Sequence, residues 1–256
     1  MVSILGAVVL ALIQGLTEWL PISSSGHLVI LQQLFKLQAS VAFDVMLHLG
    51  TLLAVIIFLR EPIVKILKAV LRRDFLSNEA RLATYITWGT LPLAVVGFLF
   101  KSFFESLFSN LFVVGIALMI NGVILYSTKF FKPRRKLTSA DSMFIGIAQA
   151  ISVIPGISRS GSTISAAMFR KIDKETAYKF SFLLSIPAIL GASLIKLGEI
   201  NFTQEPIGVV LFGIIVSAAV GYFALRTVAK VILSGNFYKF AYYCWLVGII
   251  VLFLSF

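Results

Sequence analysis

Between two apolar runs, residues Gln149 to Thr163 read Gln-Ala-Ile-Ser-Val-Ile-Pro-Gly-Ile-Ser-Arg-Ser-Gly-Ser-Thr. Arg159 and the hydroxyls of Ser158, Ser160, Ser162 and Thr163 interrupt what would otherwise pass for continuous hydrocarbon. An ionisable side chain at that depth must be buried in protein or line a wet cavity, so this stretch dictates how the helices around it fold. Pro155 and Gly156 are expected to end the incoming helix, Gly161 to let the backbone approach a ligand, and a new helix to start near Ser162. A helix start presents unpaired N–H groups and the positive end of a dipole. With the hydroxyls and the Arg159 fork beside it, the stretch has the parts of an oxyanion cradle, for which phosphate is the natural guest. The simpler reading is a Ser-rich loop whose arginine reaches up to lipid headgroups.

The pattern occurs twice. Sliding the chain by 135 positions puts Gln14 on Gln149, Thr17 on Ser152, Ile22 on Ile157, Ser23 on Ser158, Ser25 on Ser160 and Gly26 on Gly161. Ser24 then falls opposite Arg159, and His27 opposite Ser162. Each copy has an apolar run before it, a short apolar helix after it, and then three long apolar segments.

Composition settles the class. With 59% hydrophobic and 13% charged residues among 256, the chain has too little polar side-chain material for a soluble domain. It is expected to be an all-α integral membrane protein forming a single membrane domain over residues 1 to 256. Cys244 stands alone in an apolar segment, so no disulfide framework or cysteine metal site can be built. The first basic residue is Lys36, so the N-terminus lacks the basic region of a signal peptide and is expected to be retained.

Residues 2 to 20 are apolar enough to span, but Gln14, Thr17 and Glu18 crowd the far end and Pro21 closes it. The following piece, Leu28 to Leu37, is too short to cross, since a span needs about 20 residues. A re-entrant hairpin broken at Pro21 to Gly26 fits, and a second is expected from about 142 to 170. Full spans are expected at 41 to 59, 84 to 100, 111 to 127, 177 to 197, 207 to 226 and 238 to 255. The result is six transmembrane helices and two hairpins, in repeats covering about 1 to 127 and 142 to 256. Three spans per repeat is an odd number, so the repeats have inverted topology and the hairpins meet near the midplane from opposite faces.

Charge gives an independent orientation. The loops at 60 to 83, 128 to 141, 170 to 176 and 227 to 237, with their flanks, collect 18 of the 22 basic residues; Lys36, Lys101 and Lys196 fall on the other side and Arg159 inside. The basic side is then cytoplasmic and both termini are outside. Arg72-Arg73 and the run Lys132 to Lys136 serve as topology determinants with minor contact to anionic lipid, and nucleic acid is not an expected partner.

The segment Gln14-Gly15-Leu16-Thr17-Glu18-Trp19-Leu20-Pro21-Ile22-Ser23-Ser24-Ser25-Gly26-His27, together with Pro155-Gly156-Ile157-Ser158-Arg159-Ser160-Gly161-Ser162-Thr163, resembles the two signature motifs of the undecaprenyl-diphosphate phosphatase family, also known for bacitracin resistance. Leu49-Gly50-Thr51-Leu52-Leu53-Ala54 resembles that family's first full span. The resemblance extends over the whole chain. It implies a membrane enzyme that removes the terminal phosphate of a C55 polyprenyl diphosphate in cell-envelope synthesis, with a divalent cation, Mg²⁺ or Ca²⁺, and a site open to the outer face. Where the family motif often carries Glu this chain has Gln14, leaving Glu18 as the motif's main acidic residue.

Roles follow from the chemistry. Arg159 is the expected phosphate clamp, with Ser23, Ser25, Ser158, Ser160 and Thr163 donating to the same oxygens. Glu18 is expected to hold the cation or act as a base; an ion pair with Arg159 and no chemistry is the plain alternative. Gln14, four residues earlier on the same helical face, would orient water or substrate. His27 is a candidate proton carrier and Ser24 the candidate nucleophile, with metal-activated water as the other route. His48, inside an apolar span, is read as structural. A polyprenyl-phosphate flippase or anion transporter could use the same cradle, a structural scaffold would leave Arg159 and Glu18 unexplained, and the sequence leaves room for a homodimer.

Overall fold

A computed structural model of the chain describes residues 4–35, 40–132, 135–196 and 206–255. Lys36 and Arg134, which enter the charge count, lie outside the described residues. Among those described, the architecture is helical, and Arg135 and Ile172 pair as an isolated bridge. The helices are α1 (Ile4–Trp19), α2 (Ser24–Leu34), α3 (Val41–Phe58), α4 (Arg60–Leu71), α5 (Asn78–Leu99), α6 (Lys101–Leu107), α7 (Leu111–Ser127), α8 (Ser139–Ile151), α9 (Arg159–Phe169), α10 (Lys174–Lys196), α11 (Ile207–Leu233) and α12 (Phe240–Leu254).

Five of these segments are long and apolar enough to cross a membrane, and α3 becomes a sixth only when taken with α4, from which it is bent by 81°. The expected spans correspond to α3, α5, α7, α10, α11 and α12. Two elements were not expected: α6 and α4. Residues 60 to 71 read as part of a basic loop, yet they form a helix with Val64, Leu67 and Val70 interleaved among Lys65, Lys68 and Arg60. The sharp bend at Leu59 turns that amphipathic helix away from the axis of α3.

Both polar interruptions are helix–break–helix units, and the breaks fall earlier than expected. The chain leaves α1 at Trp19 and re-enters α2 at Ser24, because Ser23 caps it by accepting from the Gly26 N–H at 3.2 Å. In the second unit Ser158 caps α9 by accepting from the Gly161 N–H at 3.1 Å. Arg159 therefore occupies the first turn of a helix and not the loop before it. Ser23 adopts a positive φ of 70°, rare for a residue with a Cβ, and its side chain compensates by also accepting from the Gly156 N–H of the other unit at 3.1 Å.

Helices this apolar gain little from burying hydrocarbon where lipid is the alternative, so close approach holds them together. A Cβ on Gly50 would overlap the Ser217 hydroxyl and the Ile214 carbonyl of α11, and one on Gly146 would overlap the Gly89 carbonyl of α5. Forcing an alanine into either crossing should cost about 1–3 kcal/mol or more. Trp19, at the end of α1, packs edge-on against Phe182 of α10 with centroids 5.1 Å apart. Around it Leu52, Val55 and Leu225 complete a core that fixes where α1 stops.

One buried carboxylate anchors the start of α8. Asp141, fully buried, accepts from Arg135 at 2.6 and 2.7 Å and from Arg170 at 2.7 Å, and closes a capping box with Thr138. Burial pushes the Asp141 carboxyl up, but the hydrogen bonds from Arg135, Thr138 and Arg170 together outweigh it and leave it well below the usual carboxylate range. A depressed folded-state pKa contributes stability that is fully present above the unfolded value, about pH 4, and is lost as pH falls through the folded value. The unfolding temperature should therefore hold from pH 7 to 5 and drop in stronger acid. Asp141→Asn should unfold at a lower temperature than the native protein at pH 7, with the gap narrowing below pH 3, as read by scanning fluorimetry.

Candidate active site

The two breaks meet. A Cβ on Gly26 would lie 3.1 Å from the Gly156 Cα, and one on Gly161 would lie 3.3 Å from the Pro21 Cβ, so the tips touch where neither has room for a side chain. This contact brings the N-termini of α2 and α9 to the same cavity, of about 520 Å³. Both helix starts present backbone N–H groups and positive dipole ends there.

Glu18 is the hub. Its Oε1 is paired with the Arg159 guanidinium of the other unit, while its Oε2 accepts from the Ser24 hydroxyl at 2.6 Å and from Gln14 Nε2 at 2.9 Å. A second Arg159 nitrogen donates to the Ser185 carbonyl of α10 at 3.4 Å. Glu18 is only 5% exposed, so most of its charge is balanced by protein groups and not by water. Glu18, Ser24 and Arg159, all expected at the site, line the cavity together.

The other expected residues divide. Ser23, Ser25 and Ser158 line the cavity, although the hydroxyls of Ser23 and Ser158 are occupied as caps. Gln14 is fully buried behind Glu18, so it orients the carboxylate and does not reach substrate or water in the cavity. Ser160 is turned to Ser158 and the Leu20 carbonyl. Thr163 bonds back to the Arg159 carbonyl at 2.8 Å and meets the Ser181 hydroxyl of α10 at 2.5 Å. Neither borders the cavity, because each lies on the inward face of α9. His27 is likewise absent from the cavity wall: its Nδ1–H donates to the Ser23 carbonyl at 2.7 Å, its Nε2 accepts from the Tyr243 hydroxyl at 2.8 Å, and its ring stacks on Tyr243. Both ring nitrogens are engaged, Nδ1 within the first turn of α2 and Nε2 in joining α2 to α12.

The histidine at the site is the other one. His48 borders the cavity, with Nε2 3.4 Å from Glu18 Oε2. Its Nδ1–H donates to the Asp44 carbonyl at 2.8 Å, which leaves Nε2 as the nitrogen free to take a proton in the neutral ring. The signal was present in the sequence as a histidine in an apolar span, but nothing there tied it to Glu18. Asn121 of α7 was also missed. Fully buried, it accepts from the Ser158 N–H at 3.1 Å and donates to the Pro21 carbonyl at 2.9 Å.

A divalent cation held by Glu18 finds no donor set. Among the described residues no three of His, Cys, Asp and Glu converge on a metal position. Both Glu18 oxygens are already taken, and Arg159 already balances the charge that a cation would need. The residues present do not make a resident cation site.

Away from the polar end the cavity wall is apolar, formed by Leu28 and Val29 of α2, Leu93 of α5, and Ala188, Ile189 and Ala192 of α10. Pro92 and Pro187 sit inside α5 and α10 next to these residues. The cavity also reaches Asp44, Ser109 and Ser193, near the ends of α3, α6 and α10.

Residues 7–250 match the family described as bacitracin resistance protein BacA. An undecaprenyl-diphosphatase of Methanobrevibacter smithii is 41% identical over 97% of this chain and 96% of its own length. Proteins of the same name from Carboxydothermus hydrogenoformans and Korarchaeum cryptofilum are 42% and 40% identical, with at least 96% of each chain covered. With the match running from the start of α1 into α12, and the apolar helices marking a multi-pass membrane protein, the chain belongs to the bacitracin resistance protein BacA family.

Proposed function

We propose that this chain hydrolyses the terminal phosphate of undecaprenyl diphosphate, giving the lipid monophosphate and inorganic phosphate. The observation that carries the reading is one cluster: Ser24 donates to Glu18 at 2.6 Å while Arg159 holds the other carboxylate oxygen, on the wall of a cavity that Leu28, Leu93 and Ile189 also line. The names of the relatives support the same substrate.

The arriving diphosphate competes with Glu18 for the Arg159 fork, and the guanidinium moves onto its oxygens. N–H groups at the starts of α2 and α9 and the Ser25 hydroxyl add donors. Freed from its countercharge, Glu18 becomes a stronger base. Ser24 Oγ attacks the terminal phosphorus, its proton passes to Glu18 Oε2, and the bond from that phosphorus to the bridging oxygen breaks with its electron pair leaving on the lipid monophosphate. His48 Nε2, behind the same oxygen, shares that proton. Water then displaces phosphate from the phosphoserine and Ser24 regains its hydrogen. The prenyl chain lies along Leu28, Leu93 and Ile189.

In the membrane the α1–α2 and α8–α9 units are re-entrant hairpins from opposite faces, within two inverted repeats. Support comes from the packing, since α1 lies on α11 while α8 lies on α5, so each hairpin leans on the second full span of the other half. The basic loops make the α4 side cytoplasmic. The cavity reaches the opposite ends, beside Asp44, Ser109 and Ser193, which supports a site open to the outer face.

Activity, substitution and labelling measurements test this. Detergent-solubilised protein should release phosphate from undecaprenyl diphosphate, where a transporter using the same site would release none. Ser24→Ala should lower kcat by about a thousandfold or more while leaving lipid binding nearly intact, and rapid quench with labelled terminal phosphate should trap label on Ser24; an alanine variant keeping a tenth of the activity would exclude the covalent route. Arg159→Lys should lose about a hundredfold, because a point charge cannot replace the fork. In a Cys244→Ala background, Ser106→Cys should react with an impermeant thiol reagent from outside and Ser234→Cys should not.

A further inference from the structure

Asn121 sits in the middle of α7, fully buried, and does not itself line the cavity. Its amide nevertheless joins the two breaks: Oδ1 accepts from the Ser158 N–H at 3.1 Å, and Nδ2 donates to the Pro21 carbonyl at 2.9 Å. A third contact, from Nδ2 to Cys244 Sγ at 3.3 Å, ties the amide to α12. Only one orientation of the side chain satisfies all three, since a flip would set NH₂ against N–H and oxygen against oxygen. Pro21 stands three residues from both Glu18 and Ser24, and Ser158 immediately precedes Arg159. One rigid amide thus spans the backbone segments that carry the nucleophile and its base on one side and the guanidinium on the other.

We propose that Asn121 is a positioning residue for the phosphoryl transfer described above, on which this inference rests: its amide sets the spacing between Ser24 and Arg159. In an apolar interior neither the Pro21 carbonyl nor the Ser158 N–H has water to turn to, so losing the amide shifts the tips until other partners are found. A displacement of about 1 Å at the reacting groups is worth about a hundredfold in rate.

The test is steady-state kinetics on purified Asn121→Leu, which keeps the branched shape, though with bulkier methyl groups, and removes the hydrogen bonds of the amide. The expected result is a fall in kcat of about tenfold to a hundredfold with KM within about threefold of the native value. In an Arg159→Lys background the same substitution should cost less than about threefold more, because the geometry it disturbs has already lost its grip. Asn121→Ser, smaller and able to admit a water, is measured the same way should the leucine variant fail to fold. A native kcat in the folded variant overturns the proposal, as does a loss that multiplies in full with that of Arg159→Lys, which would mark a general loosening of the bundle. Native protein that releases no phosphate sinks the diphosphatase reading itself; active native protein with an indifferent Asn121 sinks only this one.

Discussion

The pairing of Glu18 with Arg159 is the interaction on which the rest of the molecule depends. Neither charge could be held alone between apolar helices, and each comes from a different broken unit, so the pair forms only when the two tips meet. Much of the surrounding polar structure serves that meeting. Gln14 braces the carboxylate from behind, the Ser185 carbonyl takes a spare guanidinium nitrogen, and the Ser23 hydroxyl reaches across to the Gly156 N–H. A pair so placed keeps the site near neutrality, which lets both charges be held in a low-dielectric setting. The same pair is labile to a guest with more negative charge than one carboxylate.

Much of this was legible in the sequence, and what was not has a common cause. The long apolar segments, the two interruptions and the grouping of Glu18, Ser24 and Arg159 can be read along one dimension, since hydropathy and motif spacing are local properties, whereas the amphipathic α4 and the short α6 could not. Which hydroxyls face the cavity cannot. Ser158 and Thr163 belong to the same motif, yet one caps a helix at the cavity wall and the other is turned into α10, a difference fixed by the rotation of α9. The placement of the two histidines is hidden for a similar reason: His27 lies inside the motif but turns to Tyr243, whereas His48 reaches Glu18 from another helix. The alignment of the halves misleads in one further respect. Gln149 occupies the place of Gln14, but Val153 stands where Glu18 would be, and the Gln149 amide makes no hydrogen bond among the described residues.

The apolar side of the cavity has its own logic. Pro92 and Pro187 each remove a backbone donor from helices that border it, leaving the carbonyls of Trp88 and Leu183 without their usual partners. Of the two, α5 keeps most of its apolar surface turned outward, while α10 is half buried. A cavity bordered by such helices suits a ligand whose tail belongs in the surrounding hydrocarbon while its head is gripped by charge.

The contact between the tips carries an evolutionary consequence. Gly26 and Gly156 lie so close that the size of a residue in the first half of the chain is decided by the backbone of the second. Whatever their common ancestry, the halves cannot drift separately at this point: a methyl group gained on one side must be answered by a retreat on the other. The chemical difference between them, Ser24 in one and Arg159 in the other, is carried on backbone that this shared seam holds in place.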